Sequence, residues 1–101
     1  MDQTVRLRQA VQAHGKEIET LVLREPTGED ITVCGYPMKF GDGEAQPEAK
    51  AISKYIARLA DVPPSTVKQL STADYNECLM VIMGFFMPPE SLQQNQTMGS
   101  A

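Results

Sequence analysis

The sequence predicts an α+β fold: an N-terminal β-hairpin packed on three or four α-helices, followed by a disordered C-terminal tail. Three observations predict it. Val5, Leu7, Gln9 and Val11 alternate with Arg6, Arg8, Ala10 and Gln12, the period of two that marks a half-buried strand. From about Pro47 the period becomes 3.6, with Ile52, Tyr55, Ile56 and Leu59 at i, i+3, i+4 and i+7. The stretch ESLQQNQTMGSA, Glu90 to Ala101, has no apolar period and is rich in Gln and Ser, so it reads as a tail. Residues 1–89 are then one small domain and 90–101 the polar tail, as suits a chain of 101 residues.

Each element has a local reason. After the first strand comes His14-Gly15, a plausible two-residue turn because Gly takes positive φ freely and His is enriched there. The second strand spans about Lys16 to Leu23. Its apolar residues Ile18, Leu21 and Leu23 change parity, and a β-bulge near Glu19-Thr20 would put them on one face, with Val22 outward. Thr27 with Asp30 resembles a capping box, so a helix of about two turns should follow, ended by Gly35 and Pro37. Tyr36 to Glu48 reads as a loop, with Met38 and Phe40 able to add a short strand beside the hairpin. Its Gly-Asp-Gly is a turn, since a calcium loop needs more oxygen ligands than Asp42 and Glu44 supply.

Pro63-Pro64 stops the helix that carries Ile52 to Leu59 and opens a short one whose inward residues are Val67 and Leu70. Ser71 with Asp74 is a second capping signal. The last helix runs to about Met87, where Pro88-Pro89 ends it. Tyr75, Leu79, Ile82 and Phe86 form its core stripe, and Met80, Val81, Met83, Phe85 and Met87 fill other faces. A helix that is apolar nearly all round is either enclosed or awaiting a partner, and a short chain encloses it with difficulty. Gly84 inside it suggests a close helix approach, because Gly costs roughly 1 kcal/mol relative to Ala there.

Composition limits the function. The net charge of -4 and pI of 4.8 argue against non-specific nucleic-acid or anionic-membrane binding. No secretory signal is expected from the polar start, and Cys78 to Met87 is about half the length of a membrane span. Cys34 and Cys78 read as buried thiols, without metal-ligand spacing. His14 is the only histidine, so no His-based metal site or relay can be built. Lys50, Lys54 and Arg58 form a basic ridge at i, i+4 and i+8, which reads as a solvated face. No constellation for acid/base or nucleophilic catalysis, metal or cofactor appears, so no enzyme and no cofactor is expected. Ile56 to Leu70 looks like a helix-turn-helix, with Asp61 where Gly is favoured. From Pro47 to Met87, however, Lys50, Lys54, Arg58 and Lys68 are matched by Glu48, Asp61, Asp74 and Glu77.

A series of motifs points elsewhere. Gly15 to Ile31 reads G-K-x-I…L-x-LREPTGxDI, Ile56 to Leu70 reads IARLADVPPSTVKQL, Ser71 to Tyr75 reads S-x-x-DY, and Val81 to Phe86 reads VIMGFF. In that order they resemble the phage tail assembly chaperones, a small-protein family of contractile-tailed phages and prophages. The resemblance implies a protein that holds the tape-measure protein in soluble form in the host cytoplasm, helps the tail tube polymerise around it and is absent from the finished virion. It also implies a frameshifted longer form, of which this chain is the short product. The alternatives are a small structural adaptor in the virion, a self-associating domain or, less favoured, a DNA-binding regulator. The expected partner-binding residues are Leu79, Met80, Ile82, Met83, Phe85 and Phe86, with Met80, Met83 and Phe85 off the core stripe. The motif residues Leu23, Arg24, Glu25, Pro26, Thr27, Asp30, Pro63, Leu70, Asp74 and Tyr75 are expected to serve structure, with Arg24, Glu25 and Asp30 at the hairpin-to-helix junction.

Overall fold

A computed structural model describes residues 1–87 of the chain. The tail expected over 90–101 lies outside the described residues. The order is β1 (Gln3–Ala13), β2 (Lys16–Leu23), α1 (Gly28–Cys34), β3 (Met38–Gly41), β4 (Glu44–Pro47), α2 (Ala49–Leu59), α3 (Pro64–Gln69) and α4 (Thr72–Phe86). This is the α+β fold expected, a hairpin with four helices.

β1 and β2 pair antiparallel through a turn in which His14 and Gly15 both have positive φ, 54° and 76°. Left-handed residues at both central positions match the twist of the flanking strands. The ladder is interrupted once. Between the pairs Arg6–Thr20 and Val11–Ile18, β1 carries the four residues Leu7 to Ala10 while β2 carries only Glu19. The bulge therefore falls opposite Glu19, but its excess residues are on β1 and not on β2 as the parity of Ile18 and Leu21 suggested. The two strands are equivalent in a parity argument; a partner outside the hairpin decides between them.

That partner is Asp74. Its carboxylate accepts from the Arg8 amide at 3.0 and 2.9 Å (Oδ1 and Oδ2) and from the Gln9 amide at 3.2 Å. The bulge frees these N–H groups from the ladder, and the part-buried bonds to Asp74 satisfy them. Asp74 lies at the third position of α4 and its own amide donates to the Ser71 hydroxyl, 3.2 Å away. Only half of a capping box is thus made here, because the Asp74 side chain is turned onto β1.

The last helix is rotated relative to the expected stripe. Asp74, Cys78 and Ile82 are fully buried, at i, i+4 and i+8, while Tyr75, Leu79 and Phe86 are half-buried flanks. A hydropathy pattern puts aspartate on the wet side. The bulge amides offset that cost, and the buried face lies about 70° round the helix from the expected stripe, with Ile82 common to both. Gly84 makes no close approach: a Cβ there would meet nothing within 4 Å.

The expected loop over Tyr36 to Glu48 holds a second hairpin, β3–β4, turning at Asp42 (φ 52°) and Gly43 (φ 78°). It forms its own two-stranded sheet, so Met38 and Phe40 do not extend the first hairpin. Asp-Gly is a strong hairpin turn, but strands of only four residues leave little periodicity to read.

The core is shared by all the large elements. Val5, Leu21 and Leu23 from the hairpin meet Ile52, Tyr55 and Ile56 of α2, all at most 2% exposed. Val67 of α3 and Cys78 and Ile82 of α4 close the cluster. α3 also grips β1, since Thr66 Oγ1 donates to the Gln12 carbonyl at 2.6 Å and the Gln12 amide donates to Gln69 Oε1 at 2.8 Å.

Two outcomes are expected. Asp74→Ala should cost about 3 kcal/mol in urea unfolding, because it strands two amides and removes three bonds. Acid should also unfold the protein through Asp74 and Asp30. Burial would raise the Asp74 carboxyl, but the Arg8 and Gln9 amides hold it below its usual value. The Arg24 guanidinium, against burial, holds that of Asp30 well below the carboxylate range. Both stabilise fully above the unfolded pKa of about 4 and lose effect as pH falls through their native values. The urea midpoint should therefore drop steeply below about pH 4, and Asp74→Asn should flatten that slope.

Candidate binding surface on the last helix

The motif after β2 builds one tight junction. Leu23 is fully buried, and the Arg24 amide donates to the Leu59 carbonyl at 3.2 Å, which ties the end of β2 to the end of α2. The Asp30 carboxylate, 1% exposed, accepts both guanidinium nitrogens of Arg24 at 2.8 and 2.9 Å and the Thr27 amide at 2.7 Å. Arg58 Nε donates to the same carboxylate at 2.6 Å. The fork of Arg24 matches the carboxylate geometry, and the Thr27 bond completes the cap of α1. Glu25 joins through its carbonyl, which accepts from Arg24 Nη1 at 3.3 Å, while its carboxylate pairs with the Met1 amino group on the surface. Pro26 is half-buried between them in sequence. Sequence reasoning left Arg58 in a solvated ridge, although its place opposite the junction gave it a structural role.

Pro63 is the N-cap of α3 with φ −70°, and Leu70 is its half-buried C-cap. Tyr75 reaches α2: its hydroxyl donates to the Ala49 carbonyl at 3.0 Å and lies 2.7 Å from Ser53 Oγ. These contacts fix the first turn of α4, together with Asp74.

The six apolar residues singled out on α4 separate by depth. Ile82 is fully buried and belongs to the core. Leu79, Met83, Phe85 and Phe86 are half-buried, and Phe86 stacks edge-on against Tyr55, with ring centres 5.4 Å apart. Met80 is 69% exposed. Beside it, Gln3, Val81, Gly84 and Phe85 complete a shallow concavity of about 300 Å³ between α4 and the start of β1. Met80 and Phe85 thus come together on one outer face, whereas Met83 does not line it. Val81 was missed as a site residue, and its signal was its place in the apolar run. Gly84 leaves the floor of the concavity open where a side chain would fill it.

A larger concavity, about 430 Å³, lies at the other end of α4, between α2, α3 and Tyr75. The helix-turn-helix look of this region has a structural cause: Asp61 takes positive φ, 55°, at the tight turn. α3 is six residues long and buries Thr66 and Val67. The helix in the reading position is therefore short and partly committed to the core.

No group of His, Cys, Asp and Glu able to hold a metal is found among the described residues. Nor is any of their helices long and apolar enough to cross a membrane.

A family model described as phage tail assembly chaperone proteins, E, or 41 or 14, matches residues 4–87. The chain belongs to this family. The match runs from the start of β1 to the end of α4, so it takes in the bulge, the Asp30 junction and the whole outer face of α4. No curated protein and no solved structure matches the chain. The protein exposes Met80 on α4 at 69%, and also Tyr36 at 66% and Phe40 at 79% around β3.

The two thiols lie on the closed side. Burial pushes the Cys78 thiol up to about 12 and raises that of Cys34. Because the thiolate is the reactive form, a thiol reagent at neutral pH should label both far more slowly in the native protein than in urea, and Cys34, at 8% exposure, before Cys78.

Proposed function

We propose that this tail assembly chaperone binds the tape-measure protein through the outer face of α4, keeps it soluble in the host cytoplasm and delivers it as the tail tube assembles. The reading makes the protein a binding module, not an enzyme. The observation that carries it is the exposure of Met80 beside the Phe85 concavity, in a chain of a tail-assembly chaperone family.

A long apolar helix needs a complementary apolar groove, with its anchors at i, i+3, i+4 and i+7. Each Met, Leu or Phe that becomes buried contributes roughly 1.5–3 kcal/mol. A handful of such contacts gives binding strong enough to hold a client and weak enough to release it. Methionine suits the task, because its unbranched, polarisable chain adapts to varied partners.

Met80→Glu is the decisive variant. The residue is exposed, so its stability should stay within about 0.5 kcal/mol of the parent. Co-expressed with the tape-measure protein, it should lower the soluble client about tenfold, the effect of about 1.4 kcal/mol in binding. Phe85→Glu should do the same where circular dichroism reports a native fold. Full client solubility with Met80→Glu, or recovery of the chain in purified particles in stoichiometric amount, would favour a virion adaptor instead.

A further inference from the structure

The cleft at the start of α4 carries a separate proposal. Its floor is apolar, made by Ala57 of α2, Pro64 and Val67 of α3, and Leu70. Tyr75 and Ser53 close one end, with their hydroxyls already bonded to each other. Lys54 stands on the α2 wall and Lys68 on the α3 wall. No carboxylate is among the lining residues, in a chain whose net charge is -4. Neither lysine is in an ion pair among the described residues, whereas Arg58, from the same basic ridge, is spent on Asp30 and Glu29. The ridge is thus divided: Arg58 serves a structural pair, while Lys54, joined by Lys68 of α3, lines an apolar trough.

We propose that this cleft docks an amphipathic helix of a partner protein, one whose apolar anchor is flanked by carboxylates. The anchor fills the trough over Val67 and Leu70, as in other helix-in-groove contacts. The carboxylates pair with Lys54 and Lys68 on opposite walls, and the local positive field selects an acidic segment against a basic one. An open trough suits a side chain carried on a backbone better than an enclosed small molecule, whose surface needs to be mostly buried. The site stands independently of the outer face of α4, since the two concavities share no lining residue.

The test uses the full chain, labelled with nitrogen-15, and a synthetic amphipathic helix with a Leu/Phe face flanked by glutamates. Its amide spectrum should shift at Lys54, Ala57, Val67 and Leu70, and binding should weaken as salt rises. Lys54→Glu with Lys68→Glu should weaken it about tenfold or more and gain binding for the same peptide with lysines in place of glutamates. Both lysines are exposed, so the double variant should fold, and its dispersed spectrum will report that. Equal binding of the two peptides by the parent chain, shifts confined to Met80 and Phe85, or no shift at all would overturn the proposal.

Discussion

One carboxylate joins three things that would otherwise be independent. Asp74 sits at the third position of α4, and it accepts from two amides that a strand bulge has released. The bulge supplies donors without which the aspartate would not stay buried, and the aspartate replaces the ladder bonds those amides lost. Each feature therefore supports the other. The rotation of α4 follows from that pairing, and with it the choice of which apolar residues become core and which face outward.

Asp30 plays the equivalent part on the other side of the core. Two arginines, Arg24 just after β2 and Arg58 of α2, and the Thr27 amide saturate it. A buried charge is tolerated where hydrogen bonds and opposite charge replace its water, and here all the bonding positions are used. Together the two aspartates tie both hairpin strands to helices, which matters because a two-stranded sheet alone is marginal in water. The remaining apolar surface is then spread unevenly: α2 buries its whole stripe, whereas α4 leaves Met80 in solvent.

The sequence was most informative where periodicity or turn chemistry was strong. Ile52, Tyr55, Ile56 and Leu59 are buried, Thr27–Asp30 caps α1, and His14-Gly15 turns the first hairpin, each by a short-range rule. What escaped depends on distant partners. The strand that carries the bulge, the rotation of α4 and the destination of Arg58 were all decided by contacts far away in sequence. The β3–β4 hairpin was hidden for another reason, since its short strands bury only Met38 and show no alternation to read. On the candidate surface, the apolar run from Leu79 to Phe86 was visible, but its depth order, with Ile82 inside and Met80 outside, was not.

The span between Arg8 and Asp74 has a consequence for the order in which the chain is made. The strand with the bulge is translated first, and the acceptor for its amides follows 66 positions later. Until α4 leaves the ribosome, β1 has no means to satisfy those two groups except water, so the hairpin can form only loosely. Nascent chains cut short before Asp74 lack the latch altogether.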